Sequence, residues 1–311
     1  MWEIRFGKDW RDEMEEIGEL IGKGFGIWKR NLSLCIPFLL SFALSVLVII
    51  PVLGAFVLVT VPLASLNSTT VESVEEMQEL FSQMEDSTSG LSLQQVVQIM
   101  LLFVILIVLL SLVSAFFTAG AIGMARQALD KKKTDTRAMW SAGREHFLNM
   151  FIATILMNLM IVAGLIFIAP GIATLPSPLQ AEPQAVSLLV LGVLMLILYV
   201  FALSLALAAA PYALVVDKIG ALAAIKASIS FFRYNKFDVL VLWLVVVALS
   251  LGLQMIGGSF SAGESATYQP LSVATGLINI LVLSPLSTVW WTRLYMDRKG
   301  LLLIDDVREP W

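Results

Sequence analysis

The sequence predicts an all-α integral membrane protein: six transmembrane helices as three hairpins, each preceded by a cytoplasmic-side in-plane amphipathic helix. Three observations predict it. Of 311 residues, 58% are hydrophobic and 14% are charged, against about 25% charged in soluble domains. The apolar residues lie in long runs, and about 20 of them cross the hydrocarbon core of a bilayer. Finally, every Lys and Arg falls between alternate runs. The chain reads as a single membrane domain, 1–311: an amphipathic segment 1–34, a six-span bundle 35–295 with an acidic outer loop 66–95, and a tail 296–311.

The opening segment is charged and amphipathic, with no short apolar stretch ending in a small-residue cleavage site, so no secretory leader is expected. Trp10, Met14, Ile17, Ile21, Phe25 and Trp28 recur every three or four residues as one helical stripe, with Arg11, Asp12, Glu13, Glu15, Glu16 and Glu19 on the other faces. The apolar runs follow at about 35–64, 96–118, 147–169, 186–210, 238–259 and 271–292, and none holds Asp, Glu, Lys or Arg in its central part. The first is long: 34–66 would reach about 50 Å as a helix. It must tilt, kink or protrude, and Pro51 at its middle predicts a kink or a break with re-entry.

Small residues mark two runs. Ser111, Ala115, Ala119 and Gly123 stand four apart in the second, and Ala202, Ala206 and Ala210 in the fourth. That spacing lets helix backbones approach closely in lipid, either as fixed packing or as a sliding interface. The intramembrane amides Asn158, Gln254 and Asn279 are expected to hydrogen-bond between helices or to line a polar path. No buried carboxylate, His or Arg stands there to relay protons or ions.

The charges set the topology. Six Lys/Arg lie in 1–34, six in 119–146, four in 211–237 and four in 293–311, which accounts for all 20. The connections 65–95, 170–185 and 260–270 hold none. Cytoplasmic loops collect basic residues, so both termini are expected inside a cell membrane.

Three aromatic-and-basic patches enter the odd-numbered spans: Trp28-Lys29-Arg30-Asn31; Trp140, Arg144, His146 and Phe147; and Phe232-Arg233-Tyr234-Asn235 with Lys236. Rings prefer the headgroup level, and Lys and Arg reach phosphates from there. Trp28, Lys29, Arg30, Trp140, Arg144, Phe232, Arg233, Tyr234 and Lys236 are therefore candidate headgroup contacts, as ordinary anchors or as a specific site. The stripe Ile219, Leu222, Ile225, Ile229 and Phe232 repeats the amphipathic pattern before the third patch, and a weaker copy covers 135–147.

The outer loop 66–95 is acidic and its Val71, Val74, Met77, Leu80 or Phe81, and Met84 would make one helical face, with Thr69 and Glu72 at capping-box spacing. Asn67-Ser68-Thr69 is a glycosylation sequon close to the bilayer. Lys131-Lys132-Lys133 is a basic cluster short of the four to eight cations that mark polyanionic-lipid sites, and topology determination accounts for it. Cys35 is the only cysteine, which excludes an internal disulfide framework. No metal, cofactor or nucleic-acid partner is expected. Membrane lipids are, together with a possible membrane or cytoplasmic partner protein.

Pro211, Val216-Asp217, Ala224-Ile225-Lys226-Ala227-Ser228, Phe232 and Asn235, then Leu294-Tyr295-Met296-Asp297-Arg298 after the last span, form a pattern. It resembles the six-span membrane domain that precedes the catalytic domain in some glycerophosphodiester phosphodiesterases, and related stand-alone bacterial and archaeal families. The likeness is strongest over about 200–300. It implies a membrane domain and not the enzyme, whose chemistry uses acidic metal ligands and a pair of histidines; His146 is the only histidine here. The functional expectation is a non-catalytic, lipid-interacting or partner-organising membrane module. The alternative is a transporter or permease component for a neutral or lipid-like substrate, driven by a partner ATPase or an ion gradient.

Overall fold

The structure, a computed structural model, describes residues 15–60, 92–173, 183–261 and 269–302. All regular structure among the described residues is helical. In chain order the helices are α1 (Ile17–Arg30), α2 (Ile36–Thr60), α3 (Leu93–Lys131), α4 (Thr136–Ala163), the short α5 (Ala169–Ala173), α6 (Pro183–Leu207), α7 (Ala210–Val216), α8 (Ala221–Tyr234), α9 (Lys236–Ser261), α10 (Gln269–Ile278) and α11 (Ser284–Arg298). A five-residue π turn, Asn279–Leu283, joins the last two. Six helical stretches are long and apolar enough to cross a membrane: Leu32–Val59, Leu93–Lys131, Thr136–Phe167, Val186–Val216, Lys236–Ile256 and Val273–Arg298. The protein is a multi-pass membrane protein. Trp10, Met14, the helix expected in the outer loop and the sequon lie outside the described residues.

Two compact units divide the chain, residues 40–114 and the remainder. In the unit 40–114, a capping box starts α3: the Ser92 N–H and hydroxyl donate to Gln95 Oε1 at 2.9 and 3.0 Å, and the Gln95 N–H returns to Ser92 Oγ at 3.3 Å. Gln95 Nε2 also donates to the Val59 carbonyl at 3.1 Å, so one side chain clasps the end of α2.

The other unit holds the packed core. Its fully buried large side chains include Leu20, Ile122, Met139, Met150, Leu214, Leu242 and Tyr295. These sit where the helices approach the charged connections, whereas the apolar stretches of α4, α6, α9 and α10 beyond them expose Leu, Ile and Val. α3 has 39 residues, about 58 Å at 1.5 Å per residue, twice the hydrocarbon thickness. Its last turns pack on α4. A Cβ on Gly120 would lie 2.7 Å from Met139 Cγ, and one on Gly123 would meet the Ala142 methyl. Ala115 and Ala119 are buried beside them. The second-span stripe therefore packs closely over that stretch, while Ser111 is half-buried in the other unit.

Breaks in the helices free carbonyls, and polar side chains from elsewhere take them up, as hydrocarbon surroundings require. Pro285 has no N–H for the Leu281 carbonyl four residues earlier, and the Cys35 thiol donates to that oxygen at 3.0 Å. Pro211 separates α6 from α7, and Ser228 Oγ donates to the Ala206 carbonyl at 2.7 Å. Gly164 begins a 3₁₀ turn, and Tyr199 donates to the Met160 carbonyl at 2.7 Å.

Several expectations are corrected. α2 runs unbroken through Pro51, so the alternative of a break with re-entry does not hold there. The in-plane copy expected at 135–147 is the first part of α4, a 28-residue helix capped by Asp135, whose side chain accepts from the Ala138 N–H. No residue interrupts it, unlike the asparagines after α1 and α8. In the fourth span Ala210 is buried, Ala206 half-buried and Ala202 exposed. The stripe does not form one face, because α6 stops at Leu207 and its register does not carry into α7. Asn158, Gln254 and Asn279 are all exposed; Ser228, Cys35 and Tyr199 make the bonds between segments instead.

Candidate functional site: a charged rim around the last helix

α11 carries Trp290, Arg293, Tyr295 and Arg298, all buried. Arg293 donates through Nε and Nη2 to the two oxygens of Glu15, at 2.8 and 2.6 Å. Lys23 Nζ donates to Glu15 Oε1 at 2.8 Å and pairs with Glu19 at 2.6 Å. Arg298 reaches Asp238 Oδ2 at 2.7 Å, the Glu15 carbonyl at 2.9 Å and its neighbour Asp297. Tyr295 donates to Asp217 Oδ2 at 2.6 Å, and Lys299 joins the same carboxylate while lying 4.9 Å above the Tyr295 ring. Burial alone pushes the Glu15 carboxyl up, but the hydrogen bonds and charges of Arg293 and Lys23 outweigh it and hold the group below its ordinary value. Burial pushes Lys23 down, and the two carboxylates reverse that, leaving it above its ordinary value.

This network ties α1 to α11, and α11 to the end of α7 and the start of α9. Glycine makes the docking possible. A Cβ on Gly24 would lie 2.8 Å from Trp290 Nε1, and that N–H donates to the Ile21 carbonyl at 3.0 Å. The acids of the rim are matched by cations within it, so its chemistry is that of a clasp.

Two of the three patches foreseen in the sequence stand at helix corners. Asn31 ends α1 and Asn235 ends α8, with φ near −120° at both. The Asn31 amide donates to the Ile27 carbonyl at 3.0 Å, and the Asn235 amide to the Phe231 carbonyl at 3.1 Å. Each asparagine thus takes up a terminal carbonyl of its helix and lets the chain turn into the next span. Before these corners Lys29, Arg30, Arg233 and Tyr234 are exposed, as is Lys236 just after; Trp28 and Phe232 are half-buried. Trp140 and Arg144 are also exposed, but on the continuous α4, where the Trp140 ring lies 5.3 Å from Phe116. His146 is buried one residue after Glu145, which pairs with Lys218 at 2.9 Å.

The expected stripes are not the docking faces. α1 buries Leu20, Lys23, Gly24 and Ile27, leaving Ile17, Ile21 and Trp28 half-buried and Phe25 exposed. α8 buries Ala221, Ala224, Ile225, Ser228 and Phe231, leaving Leu222 and Ile229 exposed. Sequence reading missed Glu15, Lys23 and Arg293, which it counted as solvated or topological charges. Asp217, Tyr295 and Arg298 were visible only as parts of the recurring pattern.

The profile of the domain of unknown function DUF7847 matches residues 48–292. The chain belongs to this family. An uncharacterized protein of Archaeoglobus fulgidus is 31% identical to this DUF7847 protein over 93 residues, 30% of this chain. The chain covers 31% of that relative's length. No solved structure matches it.

Proposed function

We propose that this DUF7847 protein is a non-catalytic module of the cell membrane, with both termini cytoplasmic, whose α1 and α8 lie in the inner headgroup layer and engage lipid or organise a partner protein. The observation that supports it is the double-faced character of these two helices. Each buries one side against the bundle and leaves an apolar strip beside it: Ile21, Phe25 and Trp28 on α1, Leu222, Ile229 and Phe232 on α8. Each strip ends in exposed cations, Lys29 and Arg30 or Arg233 and Lys236. An apolar strip bordered by basic residues fits an interfacial helix, with lysine and arginine stems lying along apolar surface and their charges in the headgroups. The three-hairpin arrangement and the likeness to the membrane domain of glycerophosphodiester phosphodiesterases belong to the same reading.

The test replaces Arg233 and Lys236 together by Gln and compares melting midpoints in anionic and neutral nanodiscs. Each cation near an anionic surface contributes about 1 kcal/mol, weakened by salt. The double variant loses stability in the anionic lipid and little in the neutral one. An equal loss in both would assign these residues to protein contacts and sink the reading.

One observation favours the alternative of a transport component. The fourth span breaks at Pro211 and the sixth passes through a π turn before Pro285, and discontinuous helices build substrate sites in many transporters. Flux of a neutral solute or lipid across sealed liposomes holding the purified chain separates the two readings.

A further inference from the structure

We propose that this chain forms a symmetric dimer in the membrane, through the face of α10 and the π turn that carries Gly276 and Asn279. The inference is independent of the headgroup reading and needs only that the sixth span crosses a bilayer. Asn279 lies six residues after Val273, where that apolar stretch begins, and fourteen before Arg293. At 1.5 Å per residue it stands about 9 Å and 21 Å from those points, inside a hydrocarbon layer of about 30 Å. Its side chain is exposed there, and among the described residues it has no hydrogen-bond partner. Acyl chains offer none, and an unpaired amide in hydrocarbon is costly. By contrast, Cys35, Tyr199 and Ser228, at the breaks in the spans, each have an acceptor within the chain.

The chemistry of the face names its occupant as a second copy. A carboxamide both donates and accepts, so two copies related by a two-fold axis satisfy each other with one reciprocal pair of bonds. Two copies inserted in the same direction also bring residue 279 to the same depth. Gly276 lies three residues before Asn279 and Val273 three before that, on one side of the helix, and all three are exposed. A Cβ built on Gly276 meets nothing within 4 Å, so its own chain makes no demand for glycine there, unlike Gly24 beneath Trp290. A bare glycine beside a polar residue lets a second backbone come close enough for the amides to meet. Asn158 is the contrast. It too is exposed on an apolar stretch, but Ile155, Leu159 and Val162 around it are large and exposed, and they hold a second helix away.

The test reconstitutes the full chain in neutral phosphatidylcholine liposomes and follows energy transfer between fluorescently tagged copies as lipid is added. The wild type dimerises and comes apart on dilution in lipid. Asn279→Leu makes the span more apolar yet weakens the dimer about tenfold, and Asn279→Gln, which keeps the carboxamide, retains most of the affinity. Gly276→Leu has open space within its own chain, so it weakens the dimer and leaves the melting midpoint of the monomer unchanged. Asn158→Leu leaves dimerisation as it was. In a second measurement, Gly276→Cys on a Cys35→Ser background gives a disulfide-linked pair under a mild oxidant, and Ile155→Cys on the same background does not. A wild type that stays monomeric at every lipid ratio, whether lipid or another part of its own chain covers Asn279, overturns the interface. So does equal affinity of wild type and Asn279→Leu, or a loss with Asn158→Leu as large as that with Asn279→Leu.

Discussion

Arg293 and Glu15 form a two-pronged ion pair between residues 278 positions apart in the chain, each 3% exposed. The fork of the guanidinium matches both carboxylate oxygens. Removing one partner from such a pair leaves an uncompensated buried charge, which costs about 3–5 kcal/mol. Arg293→Met therefore destabilises the folded chain by that order, and Glu15→Gln with Arg293→Met recovers a large part of the loss. A double-mutant cycle on thermal unfolding measures the coupling; strictly additive losses would refute the pairing.

The same pair sets a pH dependence. Glu15 sits below its ordinary value, so its contribution is present above the unfolded pKa, 4.5, and is lost as pH falls through the lowered folded one. Lys23 sits above its ordinary value, so its contribution is complete below the unfolded 10.5 and is lost as pH rises through the raised folded one. Between these limits the clasp is closed. In melting curves the advantage of the wild type over Glu15→Gln shrinks as pH drops below 4.5, and an advantage that stays constant into strong acid contradicts the assignment.

The six spans were legible because each is a long apolar run, and hydrophobicity is a one-dimensional signal. The faces of α1 and α8 were not. In a membrane protein the apolar stripe of an interfacial helix marks lipid as readily as protein. The stripe through Ile21 and Phe25 therefore pointed away from the bundle, while Lys23 and Gly24, polar or small, pointed into it. Lys23 is buried because Glu15 neutralises it, and Gly24 because Trp290 needs the space. Neither cause appears in the local sequence, since Trp290 lies 269 positions from the Ile21 carbonyl it meets. The corners at Asn31 and Asn235 were partly legible, as the ends of two similar patches. The lack of such an asparagine on α4 explains why the third expected corner is absent.

Gly24 offers a sharp contrast within one helix. A side chain there collides with the Trp290 ring, whereas Gly22 has nothing within 4 Å of a built Cβ. Gly24→Ala is expected to destabilise by about 1–3 kcal/mol through overpacking. Gly22→Ala is expected to stabilise by about 0.5–1 kcal/mol, because alanine loses less backbone entropy in a helix. Tryptophan fluorescence followed through denaturation reports both. Similar effects from the two variants would mean that α1 does not dock on α11 through Gly24.

The topology reading makes the last prediction. All 20 Lys and Arg fall in the segments assigned to the cytoplasmic side, and retention of cations during insertion orients the spans accordingly. The native Cys35 is buried and donates to the Leu281 carbonyl, so it gives little background with a bulky, membrane-impermeant maleimide. A cysteine in place of Ser87, which lies outside the described residues, is expected to label from outside in intact cells. A cysteine in place of Thr134, in the turn after α3, is expected to label only after the membrane is opened. Labelling of position 134 in intact cells, or equal labelling of both positions, overturns the orientation. It would also remove the cytoplasmic headgroup layer from the reading of α1 and α8, because their cations would then face the other leaflet.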